Sequence, residues 1–313
     1  FKTSYSLFCI ILLKIRNLEV NLISKKQNDL ANLELQAAVN TLYSDSKFLM
    51  TINFIISVCM PFTLGLIGIV KDYSIFIYLA IFCSLSSIAL SCWIKNIRSS
   101  AVQMQELYDR SIFNLKWNKL YLGEKPNNRQ VTLLSEKYKK KYGDFSEFLN
   151  WYTSPAATYQ YPMAIILCQS QNLSWDIPNR ERYYKTVLAF IVLLIFVFFA
   201  VSIYYFENIS LFIKTLSASI PIVIFLFFLV LEHKETVKEG NRLNSEIEDA
   251  LNQLSNNSAT DQDVISLAEE VQNAVYSYRK SARPIPNKLH KYFKNQNETL
   301  SIRNIQRYID NYL

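Results

Sequence analysis

The chain has 313 residues, of which 50% are hydrophobic and 19% charged, with a formal net charge of +7 from 33 Lys and Arg against 26 Asp and Glu. Only five glycines occur, too few for the many tight turns of a strand-rich protein, so the composition excludes that class and predicts helices. Five cysteines and two histidines include no CxxC pair and no Cys/His cluster, which argues against a zinc site.

In chain order, Leu7 to Leu13 is apolar but too short to span a membrane, and it has no small-residue cleavage site of a secretory signal. From Ile15 to Lys47, Leu18, Leu22, Leu30, Leu33, Leu35, Ala37 and Leu42 recur at helical spacings with no Gly or Pro between them. A first apolar run, Met50 to Val70, is joined through Lys71, Asp72, Tyr73 and Ser74 to a second, Ile75 to Ile94. Within the second, Ala80, Ser84, Ser87 and Ser91 make one stripe of small residues. That stripe fits either close helix packing or the lining of a polar path between subunits.

A polar block, 95–186, follows. Ile97 to Leu122 continues the helical pattern through Val102, Leu107, Ile112, Leu115 and Leu120 until Gly123 and Pro126 are expected to end it. The block closes on Phe148 to Tyr184 (FLNWYTSPAATYQYPMAIILCQSQNLSWDIPNRERYY), dense in aromatic, amide and basic side chains. Gln169, Asn172, Trp175, Asp176, Arg180, Arg182 and Tyr183 can stack on a base, bond to its edges and meet a phosphate. The same residues can instead form a membrane-proximal elbow whose Trp and Tyr sit at the interface, and the residue types alone favour the elbow.

The third apolar run, Val187 to Phe206, is joined through Glu207, Asn208, Ile209 and Ser210 to the fourth, Leu211 to Leu231. Each of the four runs is long enough to cross about 30 Å of hydrocarbon at about 1.5 Å per residue. Lys214 is the one charge inside them, near enough to an end to snorkel. Beyond, Gly240, Leu243, Ile247, Leu251 and Leu254 step like a short coiled-coil seam. The polar link Ser255 to Asp261 breaks the seam, and Val264, Leu267, Ala268, Val271 and Val275 then line one face of a second helix. Arg283, Pro284, Ile285 and Pro286 stop that helix ahead of a basic, aromatic stretch, Leu289 to Lys294.

The two short turns carry almost no basic charge. The opposite ends of the runs are flanked by Lys47, Lys95, Arg98, Arg180, Arg182, Lys185, His233, Lys234 and Lys238, so the positive-inside rule places both termini and the central block in the cytoplasm. The expected fold is an all-α membrane protein with four transmembrane helices in two hairpins and helical cytoplasmic extensions. Its segments are 1–48, a hairpin at 49–94, 95–186, a hairpin at 187–231, and 232–313.

No phosphate loop, GxSxG elbow, HExxH or intramembrane carboxylate pair is present, so nothing points to catalysis, a metal or a cofactor. The absence of charge in mid-span also disfavours selective transport.

The WY of Trp151 and Tyr152, the Cys168, Gln169 and Asn172 of CQxxN, the WD of Trp175 and Asp176, then Arg180 and Tyr183 just before an apolar run, resemble the SMODS-associated four-transmembrane effector family of bacterial antiphage systems. The likeness extends to Gln27, Asn28, Leu35, Gln36, Ala37, Ala38, Leu42 and Tyr43, and to Tyr278, Arg279, Pro284, Ile285 and Pro286. It departs at Ser170, where a basic residue is expected, and at Pro178, where a helical apolar residue is usual.

The resemblance implies a non-enzymatic effector in the bacterial inner membrane. It would sense a cyclic oligonucleotide second messenger, with no nucleic acid polymer as partner, and permeabilise the membrane as a homo-oligomer to cause abortive infection. For that ligand, Arg180, Arg182, Arg279, Arg283 and Lys288 are the candidate phosphate contacts, and Trp175 or Tyr183 the stacking residues. A scaffold that recruits a protein through its C-terminal helices is the alternative.

Overall fold

The computed structural model of the chain describes residues 21–70, 75–204, 209–256 and 260–312, and contains no strand among them. In order, the helices are α1 (Ile23–Lys26), α2 (Leu30–Phe54), a π-helical stretch (Ile55–Cys59), α3 (Met60–Val70), α4 (Ile75–Phe113), α5 (Lys119–Leu122) and α6 (Asn128–Tyr142). After them come α7 (Ser154–Ala157), α8 (Met163–Tyr204), α9 (Ile209–Asn256), α10 (Asp261–Ser281) and α11 (Asn287–Tyr312). The expected turn at 71–74, Glu207 and Asn208 of the expected turn at 207–210, the Leu7–Leu13 stretch and 257–259 of the polar link lie outside the described residues, as do the side chains of Lys214 and Ser217, whereas Ile209 and Ser210 already belong to α9.

Three helices dominate. α4, α8 and α9 have 39, 42 and 48 residues, each with an apolar run at one end and a polar, amphipathic stretch at the other. At about 1.5 Å per residue each is roughly twice the thickness of a bilayer core, so about half of it stands clear of any bilayer it crosses. On α8, Phe196 is 75% exposed, Phe199 67% and Ile203 65%. A belt of such side chains is stable only in hydrocarbon. Three helical stretches, Leu30–Gly65, Tyr78–Phe113 and Met163–Ile203, are long and apolar enough to cross a membrane among the described residues. The fourth apolar run lies inside α9, where Leu226, Leu229 and Val230 pack on Val187 and Ile191 of α8.

Pro61 shapes the first run. It has no N–H to give to the carbonyl of Ser57, and the chain widens into the π-helical stretch just before it, where the Met60 N–H reaches back to Ile55 O. In α8, Pro178 is carried inside a continuous helix, and the side-chain amide of Asn179 donates to Trp175 O at 3.0 Å.

The polar body is built around the first half of α8. Ala164, Ile165, Ile166, Leu167 and Cys168 are each 0% exposed, so this turn and a half is enclosed on every side. The core around it takes Ala38 and Leu42 from α2, Met104 and Tyr108 from α4, Leu243, Ile247 and Leu251 from α9, Val271 and Val275 from α10, and Ile305 and Tyr308 from α11. From Met163 on, the segment expected as an interfacial elbow is therefore an unbroken helix that begins in the core and runs into the third apolar run, preceded by the loop around α7. The seam on α9 and the apolar face of α10, the surfaces that a scaffold would offer to a partner, are covered by the chain's own helices.

The helix expected to reach Leu122 ends at Phe113. Asn114 adopts φ 59°, and the Leu115 N–H returns to Arg110 O at 3.0 Å, closing α4 with a left-handed cap whose following residue, Leu115, is buried. α10 starts on a capping box between Thr260 and Asp263.

Gly240 sits where α9 touches α8 and α10. A Cβ there would lie 2.8 Å from Ile177 Cγ1 and 3.2 Å from Tyr278 Cε2. Gly240→Val should destabilise the body by about 1–3 kcal/mol through overpacking, read as a lower thermal midpoint in detergent. Ile177→Ala added to Gly240→Ala should recover part of the loss and show non-additivity.

Candidate functional site

Where α8, α9 and the end of α10 converge, Asp176 organises a cluster. Its Oδ2 accepts from Arg180 Nε at 2.6 Å and from the Tyr278 hydroxyl at 2.7 Å. The spacing of Asp176 and Arg180, one helical turn, is what lets the pair close. Arg180 is 6% exposed. Its Nη1 donates to Arg283 O at 2.7 Å and lies 3.3 Å from His233 Nδ1. Because an arginine only donates, that Nδ1 is the acceptor and the ring proton sits on Nε2. Burial first, then Arg180 and Arg283, press the His233 pKa down to about 3, so the imidazole is neutral. Tyr183 meets the His233 ring edge-on at 4.9 Å. Arg283 donates to Glu232 Oε2 at 2.9 Å and lies 5.3 Å over the Phe225 ring.

A second cluster lies deeper, between α4, α8 and α10. Asp109 pairs with Arg279 and accepts from the Tyr152 hydroxyl at 2.8 Å. Glu106 pairs with Arg110 at 2.6 Å and accepts from Gln272 Nε2 at 2.8 Å. Gln169 Nε2 donates to Gln272 Oε1 and Ala268 O, and Asn172 Nδ2 donates to the Tyr152 hydroxyl at 3.0 Å. Two carboxylates and two guanidinium groups thus balance inside the core. Burial, with Asp109 next to it, raises the Glu106 pKa. The buried side of Asp109 and Arg279 means that each charge depends on the other.

The residues singled out in the sequence accordingly separate. Asp176, Arg180, Tyr183 and Arg283 come together in the first cluster. Gln169, Asn172 and Arg279 belong to the second. Arg182 donates to Asn297 Oδ1 at 2.7 Å and lies 4.4 Å over the Phe293 ring, tying α8 to α11. Trp175 is half-buried, and Lys288 is exposed at the start of α11. In the small-residue stripe, Ser84 Oγ bonds back to Ala80 O at 2.9 Å, and Ser91 Oγ accepts from Asn53 Nδ2 of α2 at 3.0 Å. Glu106, Asp109, His233 and Gln272 were not visible as site residues. Their one signal is the placement of Glu106, Asp109 and Arg110 at helical spacing among buried apolar residues of α4. Among the described residues no three His, Cys, Asp or Glu side chains gather as a metal site would require.

Long helices shared between a buried, charge-balanced body and an exposed apolar belt define a helical membrane protein. The family model of the SMODS-associating 4TM effector domain matches residues 21–306, and the chain belongs to that family. A curated relative from Bacillus cereus (strain VD146), described as a probable CBASS effector molecule, is 26% identical over 205 residues, which is 60% of this chain and 64% of that protein. The match therefore spans less than two thirds of the relative's length. No solved structure matches the chain.

Arg279→Ala should cost about 3–5 kcal/mol by leaving Asp109 buried without its charge partner, seen as loss of folded protein in size-exclusion chromatography. His233 has a folded pKa below its unfolded value of about 6.5, so its contribution is fully present above that pH and is lost as the pH falls toward 3. The thermal midpoint should fall between pH 6.5 and 4 in the wild type, and His233→Gln should flatten that part of the profile.

Proposed function

We propose that the chain is a membrane effector of an antiphage cyclic-oligonucleotide signalling system. The body senses the nucleotide in the cytoplasm and, through association of several copies, the apolar helices permeabilise the inner membrane. On this reading the apolar runs form four spans in two hairpins, with both termini and the body inside the cell. The observation that carries the proposal is the continuity of α8 and α9: each passes unbroken from the Asp176, Arg180 and His233 cluster into an apolar run. A rearrangement at the cluster therefore displaces the ends of membrane helices directly. Family membership and the relative's description support the pathway.

The ligand's phosphates would engage Arg283 and Lys288 first, because Lys288 is exposed and Arg283 is only partly covered. Deeper contacts with Arg180, Arg182 and Arg279 require exchange of a phosphate oxygen for Asp176, Asn297 or Asp109. Trp175 and Tyr183 would stack on a base, with Gln169, Asn172 and Asp176 serving its edges once the cluster opens. Such exchange is a natural trigger: the resting contacts are intramolecular, and the ligand replaces them. To move the population from 1:99 to 99:1 the ligand must favour the open state by about 5.5 kcal/mol.

The test is dye release from liposomes carrying the full chain, across a panel of cyclic di- and trinucleotides, with binding measured in parallel. One ligand is expected to bind and release dye, and Arg283→Gln with Lys288→Gln should weaken both by about tenfold or more, as loss of charge-assisted phosphate contacts demands. Intact liposomes and no binding throughout the panel would overturn the proposal.

A further inference from the structure

A cavity of about 440 Å³ opens where the apolar belt meets the polar body. Its walls come from separate parts of the chain. Asn53 of α2 and Ser91 of α4 stand a few residues inside the first two apolar runs, and Phe225 lies inside the fourth. Lys95 and Arg98 follow the second run, and Lys280 and Arg283 come from the end of α10 and the link after it. The lining therefore combines apolar side chains, Phe54, Ile94 and Phe225 among them, with four basic ones.

Four cations face this space, and no carboxylate lines it. Of the four, only Arg283 has a carboxylate partner among the described residues, Glu232. Arg98 is held by the Ala282 carbonyl at 2.6 Å, and Lys280 lies 5.8 Å over the Tyr276 ring. Burial pulls the Arg98 pKa down and Arg283 adds to it, while Tyr43 and Glu232 oppose the shift. Water screens the exposed lysines well and the partly buried arginines less, so an anion entering the space would be drawn chiefly to the arginine side.

We infer that the cavity binds the phosphate of an anionic phospholipid, with Lys95, Arg98, Lys280 and Arg283 as its ligands. Position selects a lipid over a free anion. The cavity straddles the edge of the apolar belt, where lipid phosphates lie, and basic pockets between membrane helices on the basic side of a protein take such headgroups. The volume holds more than ten waters at about 30 Å³ each, enough for a phosphodiester and its glycerol. Phe54 and Phe225, 5.0 Å apart between ring centroids, supply the apolar floor, and the exposed faces of Ile224 and Phe228 on α9 offer a path for the acyl chains. The arginine forks match phosphate oxygens, and the two lysines add point charge. A lipid seated here touches α2, α4, α9 and the α10 link at once, so it fastens the body to the belt. The inference rests on the membrane reading of the apolar runs and not on nucleotide sensing.

The experiment uses the full chain purified in neutral detergent with no nucleotide present. Phosphatidylglycerol or phosphatidylcholine is added at equal mole fraction, and the thermal unfolding midpoint is followed as a function of lipid. Phosphatidylglycerol is expected to raise the midpoint saturably, and phosphatidylcholine is not. Lys95→Gln with Lys280→Gln, both at exposed positions that leave the core intact, should shift the half-saturating lipid concentration by about tenfold or more. The same change at Lys139 and Lys140 of α6, remote from the cavity, should leave it unaltered. Arg98→Gln should abolish the response; if that variant does not fold, the lysine pair decides the matter alone. Equal stabilisation by both lipids, an unchanged response in the lysine pair, or the same effect from inorganic phosphate would each overturn the inference. So would a cyclic oligonucleotide whose stabilisation is lost in the lysine pair while phosphatidylglycerol has no effect. A failure of dye release with every nucleotide would leave the lipid result standing, which separates the two claims.

Discussion

α8 has to satisfy two solvents along one axis. Its first turns are enclosed by protein, with five consecutive residues at 0% exposure, and its last turns carry Phe196 and Phe199 on an outer surface that only hydrocarbon suits. A helix cannot change its environment without every backbone group staying bonded within the helix, so continuity through the transition is required. Pro178 and the paired charges at Asp176 and Arg180 fall in that transition zone. There the local interactions of the side chains replace both the bilayer and the core as the source of order. Of the other long elements, α9, α10 and α11 pack directly on α8, while α2 packs on α4 and α6.

The buried charges follow from the same constraint. An arginine taken from water is tolerated only where a carboxylate and further donors or acceptors meet it. Asp176 and Asp109 each take both an arginine and a tyrosine hydroxyl, which fills most of their accepting capacity. These networks stabilise little relative to an apolar core of the same volume, because desolvation offsets most of the Coulomb attraction. What they supply is a geometry that holds only when all members are in place. Helix packing by Leu and Ile alone tolerates sliding of one helix along another, whereas a tyrosine hydroxyl and a guanidinium sharing one carboxylate oxygen do not.

Much of the outline was legible from the residues. Three helices apolar enough to span, the amphipathic face of α10 from Val264 to Val275, and the stop before Arg283 to Pro286 stand where periodicity and breakers put them, because these signals are local. The end of α4 was missed since Asn114 carries a left-handed cap that a glycine usually marks. The Phe148 to Tyr184 segment read as an interfacial elbow because Trp, Tyr and Arg beside an apolar run match that pattern. Tertiary packing overrides it: Gln169 is enclosed by α10, and Tyr152 is turned inward to Asp109. The division of the candidate residues between two clusters was invisible for the same reason, since Arg279 and Arg283 are one turn apart in sequence and bind carboxylates on different helices. His233 reads in the sequence only as part of the basic flank of the fourth run, because only the approach of α8 to α9 sets Arg180 against its ring.

Arg283 belongs to two environments. Its carbonyl accepts from Arg180, its guanidinium holds Glu232, and the same guanidinium lines the basic cavity at the edge of the belt. On the proposed readings it is therefore shared between a nucleotide phosphate, a lipid phosphate and Glu232. Three acceptors compete for one fork, and binding free energies are linked: whatever the lipid does to the affinity for nucleotide, the nucleotide does to the affinity for lipid. If both phosphates require the guanidinium, occupancy by one weakens the other, and arrival of the signal loosens the body from the lipid that fastens it. If the lipid instead draws Arg283 away from Glu232, it prepares the site for the nucleotide, and the coupling changes sign. The sign is thus set by which contact the lipid replaces, and the 2.9 Å pair between Arg283 and Glu232 is the bond on which that choice turns.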